Sequence, residues 1–207
     1  MKVLLINGSP NAKGCTFTAL TEVATTLKEE GIEPSLVHVG NKEIRGCIGC
    51  RHCKQHGKCV FDDLVNETAP KFAASDGLVI GSPVYFASAN GTLVSFLDRL
   101  FYSTLFDKTM KVGAAVVSAR RGGNTATFDQ LNKYFTISSM PVVSSQYWNM
   151  VHGYTPEDVR ADEEGLQTMR TLARNMAFLI KSIRLGKEAY GLPPKEERRS
   201  THFSSIK

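Results

Sequence analysis

Short apolar runs recur along the chain at intervals too wide for hairpins: Val3–Ile6, Ser35–Val39, Gly77–Ile80, Val112–Val117 and Val142–Val143. Four of them read as continuous strands buried on both faces, whereas Ser35–Val39 is more mixed. Helical patterns lie between most of them. Phe17, Leu20, Val23, Ala24 and Leu27 share one helical face, and the pattern stops at Glu30-Gly31, where Gly31 suits the position just past a helix end. Leu93, Phe96, Leu97, Leu100 and Phe101 follow the i, i+3, i+4, i+7, i+8 template. Leu166, Met169, Leu172, Ala173, Met176 and Ile180 predict a long last helix. Strands alternating with helices imply parallel strands and right-handed crossovers, hence an open sheet covered on both sides.

Five strands within about 150 residues suit an α/β fold of the flavodoxin-like kind, a doubly wound five-stranded parallel sheet with helices on both faces. In that order a ligand sits beyond the carboxyl ends of the strands. Residues 1–185 are expected to form this domain, with a cysteine-rich insertion at 41–60. Residues 186–207, with Pro193-Pro194 and a charged run, are expected to be an extended or disordered arm, one able to wrap a neighbouring subunit.

Function should therefore lie in the loops after the first, third and fourth strands. The first, Asn7-Gly-Ser-Pro-Asn-Ala-Lys-Gly-Cys-Thr-Phe-Thr18, sets small residues, hydroxyls and one lysine before a helix N-terminus, where free N–H groups favour an anion. It matches neither the Walker A loop nor GxGxxG, and an ordinary Ser/Thr-rich cap is the plain alternative. The second, Gly81-Ser-Pro-Val-Tyr-Phe-Ala-Ser-Ala-Asn-Gly-Thr92, is read as a turn fixed by Pro83, with Tyr85 and Phe86 at the strand mouth, placed to pack on a flat ring or simply to cap the core. The third, Ser118-Ala-Arg-Arg-Gly-Gly-Asn124, offers charge and close backbone approach, or is a surface turn.

Composition narrows the setting. With 42% apolar and 22% charged residues the chain is globular, and no apolar run approaches the roughly 18 residues of a membrane span. The N-terminal apolar run is too short for a signal peptide, so a cytoplasmic protein is expected. The net charge of +5 comes partly from the tail and partly from Arg45, Arg51, Lys54 and Lys58, without the basic and aromatic stripe a nucleic-acid surface needs.

Those basic residues surround four of the five cysteines, Cys47, Cys50, Cys53 and Cys59, spaced C-x2-C-x2-C-x5-C. Four soft ligands suit a tetrahedral metal or a cubane cluster. Three of them at two-residue gaps match the run that bacterial ferredoxins use for three corners of a [4Fe–4S] cluster, whereas structural zinc prefers two separated knuckles. Disulfides would be strained at these spacings and disfavoured in a reducing compartment. His52 and His56 are either alternative ligands or solvent-facing, Gly49 and Gly57 ease the turns, and Cys15 stands apart in the first loop.

In its three loops, across roughly residues 1–185, the chain resembles the NADPH-dependent FMN reductase family of the flavodoxin-like superfamily. There a GSPR…GNT loop holds the FMN phosphate, a PVY loop packs on the isoalloxazine and a Gly-Gly loop borders its pyrimidine end. The resemblance assigns phosphate binding to Ser9, Asn11, Lys13, Gly14, Cys15 and Thr16. It places Pro83, Val84, Tyr85 and Phe86 beside the ring, and Ser118, Arg120, Gly122 and Gly123 near its N1–O2 edge. Asn11 stands where the family usually has arginine and Cys15 where it has asparagine, each removing a donor that Lys13 would have to replace. No catalytic side chain is implied, because flavin N5 carries the chemistry, with NAD(P)H as a possible donor.

The cysteines resemble, at all four ligand positions, the motif of the iron–sulfur flavoprotein subfamily. There a cluster relays single electrons to FMN, and the flavin of one subunit lies near the cluster of another. That implies a [4Fe–4S] cluster, a homo-oligomer (dimer or tetramer) and a ferredoxin-like donor, while composition argues for no nucleic-acid or membrane partner. Two other readings stay open: a clusterless NAD(P)H:FMN or quinone reductase with free or zinc-bound cysteines, and a non-enzymatic metal- or phosphate-sensing module.

Overall fold

The structure, a computed structural model, describes residues 1–197 and Arg199. Its elements are β1 (Lys2–Asn7), α1 (Cys15–Glu29), β2 (Glu33–His38), α2 (His52–His56), α3 (Leu64–Ala73), β3 (Gly77–Tyr85), β4 (Ser88–Ala89), α4 (Gly91–Ser103), β5 (Val112–Ala119), α5 (Asn124–Thr136), β6 (Met150–His152), α6 (Pro156–Ala161) and α7 (Glu163–Tyr190). The parallel path runs β2-β1-β3-β5-β6, and β4 folds back antiparallel on β3. This is the doubly wound, flavodoxin-like order that the alternation predicts.

Alternate residues of each central strand serve opposite layers, as the pleat requires. Val3, Leu5, Val79, Ala114 and Val116 pack with α1 and α7, while Leu4, Ile6, Leu78, Ile80, Ala115 and Val117 pack with α4 and α5. Gly31, at φ 76°, takes up the left-handed position just past α1.

Three expectations shift. The fifth strand of the sheet is β6, pairing Met150–His152 with Val117–Ala119, whereas Val142 makes only a single bridge to Gly113. The stretch between loops out, held by Asn149, whose side chain accepts from Ser145 and donates to the Val143 carbonyl. Second, β3 runs on through Pro83 to Tyr85, and the turn falls at Phe86-Ala87. Proline is tolerated there because Pro83 lies past the end of β1, whose last partner is Gly81, so its missing N–H costs no ladder bond on that side.

Third, the chain stays helical past residue 185. It passes through Gly186 and stops at Gly191, at φ 75°. Pro193–Glu196 then line a broad cleft with Tyr102, Leu105, Tyr134 and Ile137, and Lys195 pairs with Asp107 at 2.6 Å. That contact and the Thr109 amide hold Asp107 well below the usual carboxylate range. The remainder of the expected arm, Arg198 and residues 200–207, lies outside the described residues. Among the described residues no helix is long and apolar enough to cross a membrane.

Candidate flavin and cysteine sites

At the carboxyl ends of β1, β3 and β5 the three loops meet. The Gly8 amide donates to the Gly81 carbonyl at 2.9 Å, joining the first loop to β3. Thr16 and Ser118 hydroxyls meet at 2.7 Å, buried, joining α1 to the end of β5. A Cβ built on Gly123 would fall 2.9 Å from both Val84 and the Ala87 backbone, so the Gly-Gly loop rests against the hairpin. The hairpin in turn is pinned to α5, since Gln130 accepts from the Ser88 hydroxyl and the Ala89 amide.

The first loop is wound by its own polar groups. Asn7 accepts from the Ser9 amide and donates to the Ala12 carbonyl, and the Ser9 hydroxyl oxygen accepts from the Asn11 amide at 3.2 Å. His38 lies 2.7 Å from the Ser9 carbonyl, and Gly40 lies so close that a Cβ would overlap Ser9. Helix α1 then starts at Cys15 behind Gly14, with no side-chain cap on its first-turn amides. An uncapped N-terminus behind a small-residue loop fits a phosphate.

The predicted phosphate residues are not equivalent. Ser9 keeps its O–H to donate. Thr16 faces inward, one of the two O–H groups of its pair with Ser118 being used within the pair. Lys13 is exposed and lines a groove with Glu22, Glu157 and Arg160, beside α1 and α6. Asn11 is exposed, and Gly14 packs tightly on it. The Cys15 thiol points to the Gly153 carbonyl, and burial pushes its pKa up, so it stays protonated at neutral pH.

At the hairpin tip Phe86 and Ala87 both take left-handed φ values, 51° and 57°, in a two-residue turn without glycine. Phe86 is fully exposed and Tyr85 half exposed. Arg120, Arg121 and Gly122 are exposed, and Gly123 caps α5 at φ 95°. Sequence reasoning missed the pair beside this loop, where buried Asn124 lies 3.3 Å from His152 and the His152 amide donates to Asp162. The signal was available only as an asparagine directly after the glycines. The small-residue first loop, pressed by Gly40, and the uncapped start of α1 together fit the phosphate of FMN.

The cysteines lie along the flank of α4. All four line one concavity, with Ile48, Arg51, Val60, Phe61, Arg99, Tyr102 and Ser103. Cys53 is buried on α2, its thiol directed at the Tyr102 carbonyl, and Cys59 is half buried. Asn66 grips Cys59 from α3, accepting from its amide and donating to its carbonyl, both at 3.0 Å. Gly49, Gly57 and Arg51 take positive φ, and the His52 and His56 rings stack on each other 4.1 Å apart.

Cys47 and Cys50 are exposed on a segment without helix or strand. Accordingly, among the described residues no three Cys, His, Asp or Glu side chains converge as a metal-ligand set. The four thiols nevertheless border one concavity. Four thiols around one hollow fit a soft metal or a cluster.

Arg99 of α4 was also missed. It is 1% exposed and donates to Asp63 at 2.7 and 2.9 Å and to the Cys59 sulfur at 3.2 Å. Burial alone would favour loss of its proton, but the Asp63 and Cys59 bonds outweigh it and hold the guanidinium above its ordinary pKa. A lone arginine among Phe96, Leu97 and Leu100 was the available signal.

Comparison with known proteins bears on both regions. The profile of the NADPH-dependent FMN reductases matches residues 1–155. The chain belongs to that family. It is 37% identical over 192 residues to an iron–sulfur flavoprotein of Methanocaldococcus jannaschii, covering 89% of this chain and all of that one. It is 31% identical over 195 residues to an iron–sulfur flavoprotein of Methanosarcina thermophila, covering 91% of this chain and all of that one. In fold it is similar to a flavodoxin from the domain Archaea, with a TM-score of 0.60 at 14% identity over 87% of this chain and 99% of that one. Membership in this family makes the protein an FMN-dependent oxidoreductase.

Proposed function

We propose that this oxidoreductase carries a [4Fe–4S] cluster on Cys47, Cys50, Cys53 and Cys59. It would pass electrons through FMN between a reduced carrier, NAD(P)H or a ferredoxin, and an acceptor. The observation that carries the reading is that all four thiols line one concavity in a chain of the FMN reductase family. The names of the two iron–sulfur flavoprotein relatives support it.

FMN, when bound, supplies hydride and single-electron chemistry at its ring. The chain's own residues hold and shape that site. The Ser9 hydroxyl and the first-turn amides of α1 hold the phosphate, favoured by the helix dipole. Tyr85 and Phe86 cover the ring and exclude water, Gly122 and Gly123 bring backbone N–H groups to its pyrimidine edge, and Arg120 adds positive charge there. The basic side chains of Arg45, Arg51, Lys54 and Lys58 offset the negative charge of a four-thiolate cluster.

Helix α4 begins at Gly91 beside the hairpin, and a rise of about 12–18 Å separates Gly91 from Arg99–Ser103, where the cysteine concavity lies. That offset within one chain supports a homo-oligomer, dimer or tetramer, in which the flavin mouth of one subunit faces the cysteines of another. The exposed Tyr85, Phe86, Tyr147 and Trp148 provide apolar surface for such a contact.

The test is an absorption spectrum with iron, sulfide, zinc and FMN assays on protein purified without oxygen. The reading predicts about four irons and four sulfides per chain beside one FMN. FMN without iron would leave the clusterless reductase.

A further inference from the structure

Arg99 is the bulkiest fully buried side chain among the described residues. A guanidinium has five N–H donors, and here every one is directed at an acceptor. Nη1 reaches Asp63 Oδ2 at 2.7 Å and the Arg45 carbonyl at 3.3 Å. Nη2 reaches Asp63 Oδ1 at 2.9 Å and the Phe61 carbonyl at 3.4 Å. The fifth donor, Nε, points at the Cys59 sulfur. The Phe61 ring centroid lies 5.0 Å from the guanidinium carbon and equally far from that of Arg45.

This network does more than fold a loop. Four of the five bonds tie Arg99 to Arg45, Phe61 and Asp63, which bracket the cysteine segment on both sides. The remaining one ends on a candidate ligand atom. Asp63 balances the charge of the pair, so Arg99 gives the sulfur chiefly a fixed N–H dipole, with a cation behind it whose strength Asp63 controls. Asp63 has a separate structural duty, capping α3 by accepting from the Val65 amide, which asparagine also performs.

We propose that Arg99 is a positioning residue of the cysteine site, fixing the Cys59 sulfur through Nε–H and, with Asp63, setting how much negative charge the site accepts. The proposal rests on the cluster reading. One-electron reduction adds a negative charge to a thiolate-bound cluster, and a donor to a ligand sulfur favours the reduced form. Weakening the donor should lower the reduction potential, and removing the counter-charge of Asp63 should raise it.

The experiment uses the full chain, reconstituted without oxygen, as wild type, Arg99→Lys and Asp63→Asn, titrated with dithionite under electron paramagnetic resonance. Arg99→Lys should lower the midpoint by at least a tenfold change in the ratio of reduced to oxidised cluster, about 59 mV for one electron. Asp63→Asn should move it upward. Opposite shifts are not what a merely structural role produces, and unchanged midpoints, or shifts of the same sign, overturn the proposal.

Should the wild type hold no iron, the cluster reading fails on its own. Co²⁺ binding to the apoprotein, followed by thiolate charge-transfer absorbance, still decides the role of Arg99. Arg99→Lys should weaken Co²⁺ binding at least tenfold, and should cost nothing further in a Cys59→Ser background. An equal loss in that background overturns the proposal.

Discussion

The flavin mouth and the cysteine concavity are made of different materials. At the mouth the backbone does the shaping: Gly8 is bonded to Gly81, Gly40 is pressed on Ser9, Gly123 lies on Val84 and Ala87, and the first turn of α1 is left uncapped. Each of these positions follows from strand register, because the loops leave the ends of hydrogen-bonded neighbours. In the concavity no strand takes part, and side chains bind the pieces together: Arg99 with Asp63 and Cys59, Asn66 with Cys59, Lys54 over Tyr102. A site made by register tolerates side-chain change and suffers from added bulk. A site made by a side-chain network tolerates bulk at its open rim and suffers from loss of one polar group.

That contrast can be broken from either side. The largest effect is expected for Cys50→Ser. On the cluster reading, the broad visible absorbance and iron should fall to near zero, while the flavin bands and FMN affinity stay within about twofold, because the residues lining the concavity with Cys50 include none from the three loops. Loss of FMN together with iron would show the two regions to be one cooperative site.

Next in size is Gly40→Ala. Its Cβ would lie 2.1 Å from Ser9 backbone atoms that cannot yield without moving the first loop. An overpacking cost of about 1–3 kcal/mol corresponds to a loss of FMN affinity of about 5- to 150-fold. Flavin fluorescence quenching measures it, and the iron content should not change.

The hairpin tip gives a smaller, two-sided effect. A non-glycine residue in the left-handed region costs about 1 kcal/mol. Ala87→Gly should therefore leave the denaturation midpoint unchanged or raise stability by up to about 1 kcal/mol, with FMN affinity kept. Phe86→Gly should instead weaken FMN without destabilising the fold, since Phe86 is fully exposed and packs on nothing. If both variants behave alike, Phe86 is not a ring-covering residue.

The smallest effect concerns pH. The Thr155 and Tyr154 amides hold the Asp158 carboxyl below its ordinary value of 3.8 and close the capping box of α6. A depressed folded pKa contributes stability above the unfolded value, lost as pH falls through the folded one. Thermal melts between pH 5 and 2 should thus decline less steeply in Asp158→Asn than in wild type. Parallel declines would remove Asp158 from the acid response.

Local pattern reaches as far as burial reaches. Leu93, Phe96, Leu97 and Leu100 announced α4 because a 3.6-residue period reports which face is covered, and Val3–Ile6 announced β1 because a continuous apolar run reports two covered faces. The three loops were legible as small, polar and glycine-rich, and the cysteine spacing was plain. Val142–Val143 misled as the fifth strand because an apolar pair carries no record of which edge it joins. Pro83 misled because its tolerance depends on where β1 stops.

From the sequence alone come the α/β order, the strand and helix faces, the turn glycines at 31, 49 and 57, and the residue types gathered in each region. Only the tertiary structure decided that Thr16 turns inward to Ser118, that β6 completes the sheet, and that Arg99 closes on Asp63 and Cys59, 36 and 40 residues away. The physical reason is that periodicity records a residue's exposure, whereas a hydrogen-bond partner is set by which buried donors and acceptors the packed layers leave facing each other.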